Sequence, residues 1–168
     1  PGGGDGWLAQ VDAEIRPTQC PFPYAGPQAA VEHAQRYLGT PYLWGGVTAD
    51  GADCSGFVQV CWRAAGRDIP RDAGPQFEAL PYLVGRGEML PGDLLFFQGI
   101  GSAFHEGIYD GQGRRLQAPG TGKRIQSPAL KGAWIGRRWI GARRFAPPPE
   151  PQPSQTSTTD HPHRETQP

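Results

Sequence analysis

The sequence predicts an α+β domain, with helices in its N-terminal half and an antiparallel sheet in its C-terminal half. Residues 28–38 and 53–65 carry apolar side chains at helical spacing, whereas short runs between residues 93 and 145 follow a strand pattern. Helices and strands that are segregated along a chain favour an α+β fold over a parallel α/β sheet. A length of 168 residues is sufficient for one such domain with its own core.

The first helix is predicted over residues 28–38 and ends at Gly39. Its apolar face comprises Ala30, Val31, Ala34, Tyr37 and Leu38. The segment that follows, Thr-Pro-Tyr-Leu-Trp-Gly-Gly at 40–46, contains Pro and Gly at close intervals and predicts a loop.

The second helix is predicted from Asp53 to Ala65, with Asp53 as its N-cap and Gly66 as its end. Apolar residues cover most of its circumference, and Arg63 is its only full charge after the cap. A helix that is apolar nearly all round is normally buried, so we expect this helix at the centre of the domain. A short third helix is predicted around residues 76–80.

The predicted sheet consists of strands at 93–97, 104–109, 114–118 and 138–145. The sequence Asp-Gly-Gln-Gly at 110–113 predicts a hairpin turn between the second and third of these strands. This turn is the reason for expecting antiparallel pairing.

The two ends of the chain differ from the predicted domain, which spans residues 27–146. Residues 1–26 are interpreted either as an extended arm or as the truncated remnant of a preceding small β-barrel domain. Residues 147–168 offer Pro, Gln, Ser, Thr and charged side chains but no apolar residue to bury, which predicts a disordered tail. The sequence begins at Pro1 without Met, so we expect a processed or excised piece. It shows neither a signal peptide nor an apolar run of membrane-spanning length, and the missing signal peptide says little about location.

The formal net charge of zero does not indicate attraction of the whole molecule to nucleic acid or to an anionic membrane. Positive charge is nevertheless concentrated in the C-terminal half. That excess is either an ordinary solvated surface or a surface that faces an anionic polymer. Its main contributors are Arg114, Arg115, Lys123, Arg124, Arg137, Arg138, Arg143 and Arg144.

The 3 cysteines show no disulfide framework. Cys54 and Cys61 are seven residues apart in a predicted helix, a separation of about 10 Å between Cα atoms that a disulfide cannot span. A Cys20–Cys61 bond remains possible, but an unpaired set is favoured. The chain contains no Cys-x-x-Cys motif, and we expect neither a metal nor a cofactor.

Cys54 occupies the start of the buried helix, within Asp-Cys-Ser-Gly-Phe at 53–57. The free N–H groups and the positive dipole end of a helix N-terminus favour a thiolate there, and the same N–H groups can bind an oxyanion. The alternative role is that of a small buried side chain, which fits Cys61 better than Cys54.

A nucleophilic cysteine requires a base, and His105 is the histidine placed to serve as one. His161 and His163 lie in the predicted tail, and His33 lies in a surface-type helix. His105 lies in a predicted strand that can face the helix N-terminus. A hydrogen-bonded core histidine is the alternative that the residues alone leave open.

Five sequence blocks, in order and between residues 28 and 145, resemble the NlpC/P60 family of cysteine peptidases. The blocks are Leu-Gly-Thr-Pro-Tyr-Leu-Trp-Gly-Gly at 38–46, Asp-Cys-Ser-Gly-Phe-Val at 53–58, Pro-Arg-Asp-Ala at 70–73 with Gln76, Leu-Pro-Gly-Asp-Leu-Leu-Phe-Phe at 90–97, and His-Glu-Gly-Ile-Tyr at 105–109. The resemblance implies a papain-like fold in which a buried nucleophile helix packs on an antiparallel sheet.

By this resemblance, Cys54 is the nucleophile and His105 is the base. The family usually orients the base with a second histidine, in a His-Ala-Pro segment of the next strand. Here that segment reads Gln-Ala-Pro at 117–119, so Gln117 is the expected orienting residue. An amide oxygen can accept the ring N–H of His105, although it carries no charge.

The resemblance also implies a substrate pocket lined by Tyr42, Trp44, Asp53, Ser55, Arg71 and Asp72. The guanidinium of Arg71 suits the α-carboxylate of a γ-linked D-Glu, and Asp53 suits the free amine of the preceding residue. N-capping by Asp53 and an Arg71–Asp72 surface pair are the alternatives, and Trp44 is also a candidate for packing.

The expected function is therefore that of a monomeric, cofactor-free endopeptidase. Its substrate is the γ-D-glutamyl–diamino acid bond of a peptidoglycan stem peptide or muropeptide, and the branch it resembles carries bacterial SH3 domains before the catalytic domain. An amidase or acyltransferase with the same residues, and a non-catalytic wall-peptide binding module, are the alternatives. The expected location is the bacterial cell envelope or the exterior, with cytoplasmic peptidoglycan recycling also possible.

Deletion of residues 147–168 is expected to leave the thermal unfolding midpoint and the turnover nearly unchanged, because the deleted segment has no apolar side chain to pack. Differential scanning calorimetry and a peptide-hydrolysis assay on both chains check this. A midpoint lowered by several degrees would show that the tail docks on the domain.

Overall fold

An antiparallel sheet with helices packed on one face forms the part of the chain that the structure describes. The structure is a computed structural model, and it describes residues 22–99 and 104–145. In chain order, the elements are α1 (Pro27–Arg36), β1 (Val47–Thr48), β2 (Gly51–Ala52), α2 (Cys54–Ala64), α3 (Ala73–Ala79), β3 (Tyr82–Val84), β4 (Leu94–Gln98), β5 (Phe104–Tyr109), β6 (Arg115–Leu116), α4 (Ala133–Arg138) and β7 (Trp139–Arg144).

The main sheet has the order β3–β7–β4–β5–β6, and every neighbouring pair is antiparallel. Strands β4, β5, β6 and β7 confirm the four predicted strands, and the hairpin turn between β5 and β6 is also confirmed. The α+β class predicted from the sequence is therefore correct.

The core lies on both faces of the sheet because alternate residues of β4 point in opposite directions. Leu94 and Phe96 belong to the larger cluster, which joins β4 to α1 and α2, whereas Leu95 and Phe97 belong to a smaller cluster on the opposite face. All four side chains are fully buried. Helix α2 packs against β5 and α1, which places its N-terminus beside the sheet.

The two long helices follow the predicted pattern, with one error. Helix α2 is capped by Asp53 and is followed by Gly66, which has a φ of 88°, as expected of a helix-terminating glycine. Helix α1 ends at Arg36, before the predicted boundary. The assignment of Leu38 to its apolar face is wrong, because Leu38 lies past the helix end and is 47% exposed.

Several short elements were not predicted. The hairpin of β1 and β2 lies immediately before α2, β3 forms an edge of the sheet, and α4 precedes β7. Helix α3 begins three residues earlier than expected, at Ala73. Strands of two or three residues are too short to display a period, so their pairing depends on tertiary contacts.

The predictions for residues 1–21 and 146–168 lie outside the described residues. These predictions include the proposed SH3 remnant, the tail and a Cys20–Cys61 bond. Among the described residues, Cys54 and Cys61 form no disulfide with each other, in agreement with the helix-spacing argument.

An ion pair of buried side chains fastens β7 to the start of β4. Arg144 donates from Nε and Nη2 to the two carboxylate oxygens of Asp93, at 2.6 and 2.7 Å. Asp93 also accepts the backbone N–H of Leu90 at 2.7 Å. This pair joins β7 to the start of the adjacent interior strand β4, and removing one member leaves an uncompensated charge.

Asp93→Ala is expected to lower the free energy of unfolding by about 3 kcal/mol, because the largely buried guanidinium of Arg144 loses its carboxylate partner and keeps only the carbonyl of Glu88. Asp68→Ala is the matched control, since Asp68 pairs with Arg63 at 3.4 Å on the surface and its loss is expected to cost below about 1 kcal/mol. Urea denaturation of the three proteins measures both values. Equal effects from the two substitutions would contradict this account.

Candidate active site

The start of α2 is organised by the carboxylate of Asp53. One oxygen of Asp53 accepts the backbone N–H of Gly56 at 2.7 Å, as an N-cap does. The other oxygen accepts the backbone N–H of Gly45 at 2.8 Å. Asp53 is therefore the N-cap of α2, as considered from the sequence. The same side chain also holds the loop that precedes the β1–β2 hairpin.

Gly56 permits this loop to lie against the first turn of α2. A Cβ atom at Gly56 would collide with the carbonyl oxygen of Gly46, which is a backbone atom that cannot rotate away. The Gly residues of the Asp-Cys-Ser-Gly and Trp-Gly-Gly segments therefore meet each other in the fold. Their contact holds the loop that carries Tyr42 and Trp44 beside the helix N-terminus.

Cys54 is the first residue of α2 and remains partly exposed. Burial raises the pKa of its thiol to about 11, and the carboxylates of Glu106 and Asp53 add to that increase. Backbone N–H groups of Ser55 and Glu106 oppose it. The preference for a thiolate that the sequence predicted is therefore wrong, because burial and two carboxylates raise the pKa of Cys54 by more than the N–H groups lower it.

His105 lies on β5, which packs against α2. Its Nε2 atom is 2.8 Å from Oε1 of Gln117. The backbone N–H of Glu106, the residue that follows His105, acts on the thiol of Cys54, so the N-terminus of α2 lies beside this segment of β5.

Arg115 determines which atom of Gln117 faces the histidine. Its Nε donates to the same Oε1 atom at 3.0 Å, and a guanidinium nitrogen can only donate. The amide oxygen of Gln117 therefore faces both groups, and His105 must donate through Nε2–H. In the neutral ring the lone pair then lies on Nδ1, the nitrogen that remains available as a base.

The environment favours the neutral form of His105. Burial lowers the pKa of His105, and the positive charges of Arg115 and Arg138 lower it further, whereas the hydrogen bond to Gln117 acts in the opposite direction. Together with the raised pKa of Cys54, this favours a neutral thiol and a neutral imidazole at rest.

Arg71 binds Asp53 through two parallel hydrogen bonds. Nη1 and Nη2 of Arg71 lie 3.0 and 2.6 Å from the two oxygens of Asp53, and Nη1 also donates to the hydroxyl of Ser55 at 2.9 Å. Burial alone would raise the pKa of Asp53, but Arg71 and the N–H groups of Gly56 and Gly45 lower it overall. The carboxylate therefore stays ionised.

Asp72 contributes little to this cluster. Its carboxylate is exposed and lies 4.0 Å from Arg71, whereas Asp53 is far closer. The Arg71–Asp72 surface pair considered from the sequence is thus secondary to the Arg71–Asp53 pair. Asp72 caps α3 by position without a side-chain hydrogen bond.

Tyr42 and Trp44 occupy different environments within one loop. Burial raises the pKa of Tyr42, and the nearby Cys54 and Asp53 raise it further, so its hydroxyl keeps its proton at neutral pH. Trp44 is 83% exposed, so the packing role considered for it is wrong. An exposed indole beside a cleft is suited to contact with a ligand.

Glu106, Arg115 and Gln76 lie at the candidate site but were given no site role from the sequence, although Gln76 is part of one of the five blocks and Arg115 is part of the positive charge excess. Gln76 is buried and donates to the backbone oxygens of Ser55 and Pro70, at 3.1 and 2.9 Å, which anchors α3 to the start of α2. Glu106 was detectable in principle, since it is a carboxylate inside an otherwise apolar strand next to the candidate base.

Among residues 22–99 and 104–145, no group of three or more His, Cys, Asp or Glu side chains is arranged to hold a metal ion. The helices in the same residues are all too short or too polar to cross a membrane.

A helix whose N-terminal cysteine faces a histidine-bearing antiparallel sheet defines the papain-like class of folds. Comparison with known proteins is more specific, because residues 39–144 match the model of the NlpC/P60 family. The chain belongs to the NlpC/P60 family.

Individual relatives agree with this assignment. The chain is 32% identical over 150 residues to the gamma-D-glutamyl-L-lysine dipeptidyl-peptidase of Bacillus cereus, a match that covers 88% of this chain and 45% of the relative. It is 38% identical over 128 residues to the murein DD-endopeptidase MepH of Escherichia coli, covering 72% of this chain and 46% of MepH.

A solved structure matches as well. The NlpC/P60 domain of the peptidoglycan hydrolase SagA superposes with a TM-score of 0.61 at 32% identity, over 71% of this chain and 98% of that domain. The chain spans less than half the length of the curated relatives from Bacillus cereus and Escherichia coli.

Gln117→Ala is expected to reduce kcat by about 10- to 1000-fold with little change in KM, because His105 loses the acceptor that orients it. Gln117→His keeps an acceptor nitrogen and should retain most of the activity. Gln126→Ala is the matched control, since Gln126 pairs with Gln117 through its backbone and its side chain is exposed.

Steady-state kinetics on a γ-D-glutamyl stem peptide measure all four proteins. An inert parent chain that gains activity only as Gln117→His would contradict the catalytic role of Gln117 and favour the binding-module alternative.

Proposed function

We propose that this chain is a cysteine endopeptidase that cleaves the amide bond between γ-D-Glu and a diamino acid in peptidoglycan stem peptides. The observation that carries the proposal is the pairing of two features: Cys54 at the N-terminus of α2, and a His105–Gln117 hydrogen bond of 2.8 Å on the sheet that α2 packs against. Family membership and the names of the relatives support the same chemistry.

The first step is acylation of Cys54. Nδ1 of His105 takes the thiol proton while Sγ attacks the scissile carbonyl carbon, and a tetrahedral intermediate with a negatively charged oxygen forms. Collapse of this intermediate breaks the C–N bond. The imidazolium returns its proton to the departing amine, which leaves a thioester on Cys54.

The second step is hydrolysis of the thioester. Neutral His105 removes a proton from a water molecule that attacks the thioester carbon, and the thiolate leaves and recovers the proton. Gln117 serves both steps because its oxygen keeps Nε2–H engaged while Nδ1 gains and loses the proton.

The oxyanion is stabilised by donors at the start of α2. The N–H groups of Cys54 and Ser55 precede the first intrahelical hydrogen bond, which runs from Phe57 to Asp53. The protonated hydroxyl of Tyr42, which lies within electrostatic range of Cys54, adds a further donor.

Substrate recognition rests on Arg71 rather than on Asp53 alone. Both oxygens of Asp53 already accept hydrogen bonds from Arg71 and from the backbone, so an incoming ammonium group must compete with Arg71. The side chain of Arg71 is 32% exposed. The Asp53–Arg71 pair therefore acts as one unit in which the exposed edge of the guanidinium binds the α-carboxylate of D-Glu.

Ser55, Asp72 and Trp44 complete the proposed pocket. Ser55 holds Arg71 in place, Asp72 adds negative charge at the exposed edge, and the indole of Trp44 covers the peptide. The reaction belongs to the cell envelope or the exterior, where peptidoglycan is found.

A DD-endopeptidase activity is the second candidate, since MepH bears that name. The two activities release different fragments from the same muropeptide. A panel of stem peptides with Lys or meso-diaminopimelate, analysed by mass spectrometry, assigns the bond that is cut.

Cys54→Ser is expected to reduce kcat on the stem-peptide panel by more than roughly 1000-fold without loss of fold, because the nucleophile is removed. Cys61→Ala is the matched control, since Cys61 lies deeper in the same helix and is fully buried. It should retain activity and lose only about 1 kcal/mol of stability. Inactivity of the Cys61 variant together with an active Cys54 variant would overturn the assignment.

A further inference from the structure

The side chain of Glu106 is a carboxyl group buried without a partner. Its exposed fraction is 0%, and neither of its oxygens has a hydrogen-bond partner among the described residues. Its directly paired neighbour across the sheet is Phe96. Burying an ionised carboxylate in such surroundings is costly in free energy. A carboxyl group of this kind therefore remains neutral unless a nearby positive charge stabilises its ionised form.

Glu106 lies on the face of β5 that contacts the nucleophile helix. Phe104 and Ile108, two residues away on either side, belong to the core shared with α2, and strand alternation places Glu106 on their face. Its backbone N–H lies at the thiol of Cys54, and its carboxylate is the strongest charge acting on that thiol. His105 is its immediate neighbour in sequence.

The charged groups near Glu106 have opposite effects on its ionisation. Asp53 at the start of α2 and Asp72 at the start of α3 disfavour its ionisation, whereas Arg71 favours it. Arg71 is already paired with Asp53 at 2.6 Å, which reduces its effect on a second carboxylate.

The other elements packed on β5 contribute apolar residues or act elsewhere. The buried residues of α1 are Ala30, Val31 and Ala34, and β4 contributes Phe96. Arg115 of β6 acts on His105 and on Gln117. Burial therefore dominates and raises the pKa of Glu106 to about 8.

We propose that Glu106 is a charge gate on the nucleophile: its neutral form allows Cys54 to ionise, and its charged form suppresses that ionisation. A thiolate and a carboxylate that share one desolvated space repel each other, as paired carboxylates in one site do. Glu106 does not touch the substrate in this role. It is a residue that tunes Cys54.

If the proposed function holds, the gate also determines how peptidase activity depends on pH. The neutral imidazole of His105 is needed to accept the thiol proton, so activity rises as His105 loses its proton. Activity then falls above about pH 8, where Glu106 gains its charge. Without the carboxyl group the alkaline fall should move to higher pH.

Alkylation of Cys54 by iodoacetamide tests the gate without any peptidase activity. The rate is followed between pH 5 and pH 11 by tandem mass spectrometry that locates the added group on Cys54, because Cys61 is seven residues away and can lie in the same peptide. The compared proteins are the parent chain, Glu106→Gln, Glu106→Leu and Glu78→Gln, whose residue is an exposed carboxylate on α3. Leu removes the charge without introducing a polar atom, in case the buried amide impairs folding.

Both Glu106 variants are expected to shift the alkylation midpoint to lower pH by about one unit or more, because the repelling charge is absent. The parent chain and Glu78→Gln should have the same midpoint. Identical midpoints for the parent chain and the folded Glu106 variants, or a shift to higher pH, would overturn the gate.

Stability supplies a second readout. Because the pKa of Glu106 is raised from 4.5 to about 8, the folded protein holds a proton that the unfolded chain has lost, and stability falls as pH rises between these values. Glu106→Leu should remove this contribution, and an unchanged pH dependence would contradict a buried neutral carboxyl group. If alkylation shifts as expected but no stem peptide is cleaved, the gate stands and the proposed peptidase function fails.

Discussion

The carboxylate of Asp53 is the interaction on which the site depends. It caps α2, holds the preceding loop through Gly45 and binds Arg71, which is 18 residues away, so one side chain positions three segments. Each of these contacts is charge-assisted and mostly shielded from water, which makes it stronger than an exposed equivalent. Cys54, the loop at 40–46 and the guanidinium of Arg71 are therefore held together by this one carboxylate.

The second constraint is the balance of charge around Cys54. Helix N–H groups favour a thiolate, but burial and the carboxylates of Glu106 and Asp53 have the larger effect. The thiol of Cys54 and the imidazole of His105 are thus both neutral at rest, so the proposed attack requires the thiol proton to move. Arg115 and Gln117 select the tautomer of His105 in which Nδ1 carries the lone pair.

The sequence was sufficient for the α+β class, for α2 with its Asp53 cap, and for the four longer strands, since each has a clear period or a strong terminal signal. It failed at Leu38, where an apolar residue continues the helical spacing past the end of α1. It also did not reveal that Arg71 binds Asp53, because 18 residues separate the two and the contact exists only in the fold. The buried state of Glu106 has the same origin.

The proposed function requires that the peptide acylates Cys54. Acid quenching of a reaction with a γ-D-glutamyl stem peptide, followed by tandem mass spectrometry, detects this acylation. We expect an added acyl mass on Cys54 in the parent chain, its removal by hydroxylamine, and its absence from Cys54→Ser. Hydrolysis of the peptide by the parent chain with an adduct on another residue, or without any adduct, would contradict acylation of Cys54.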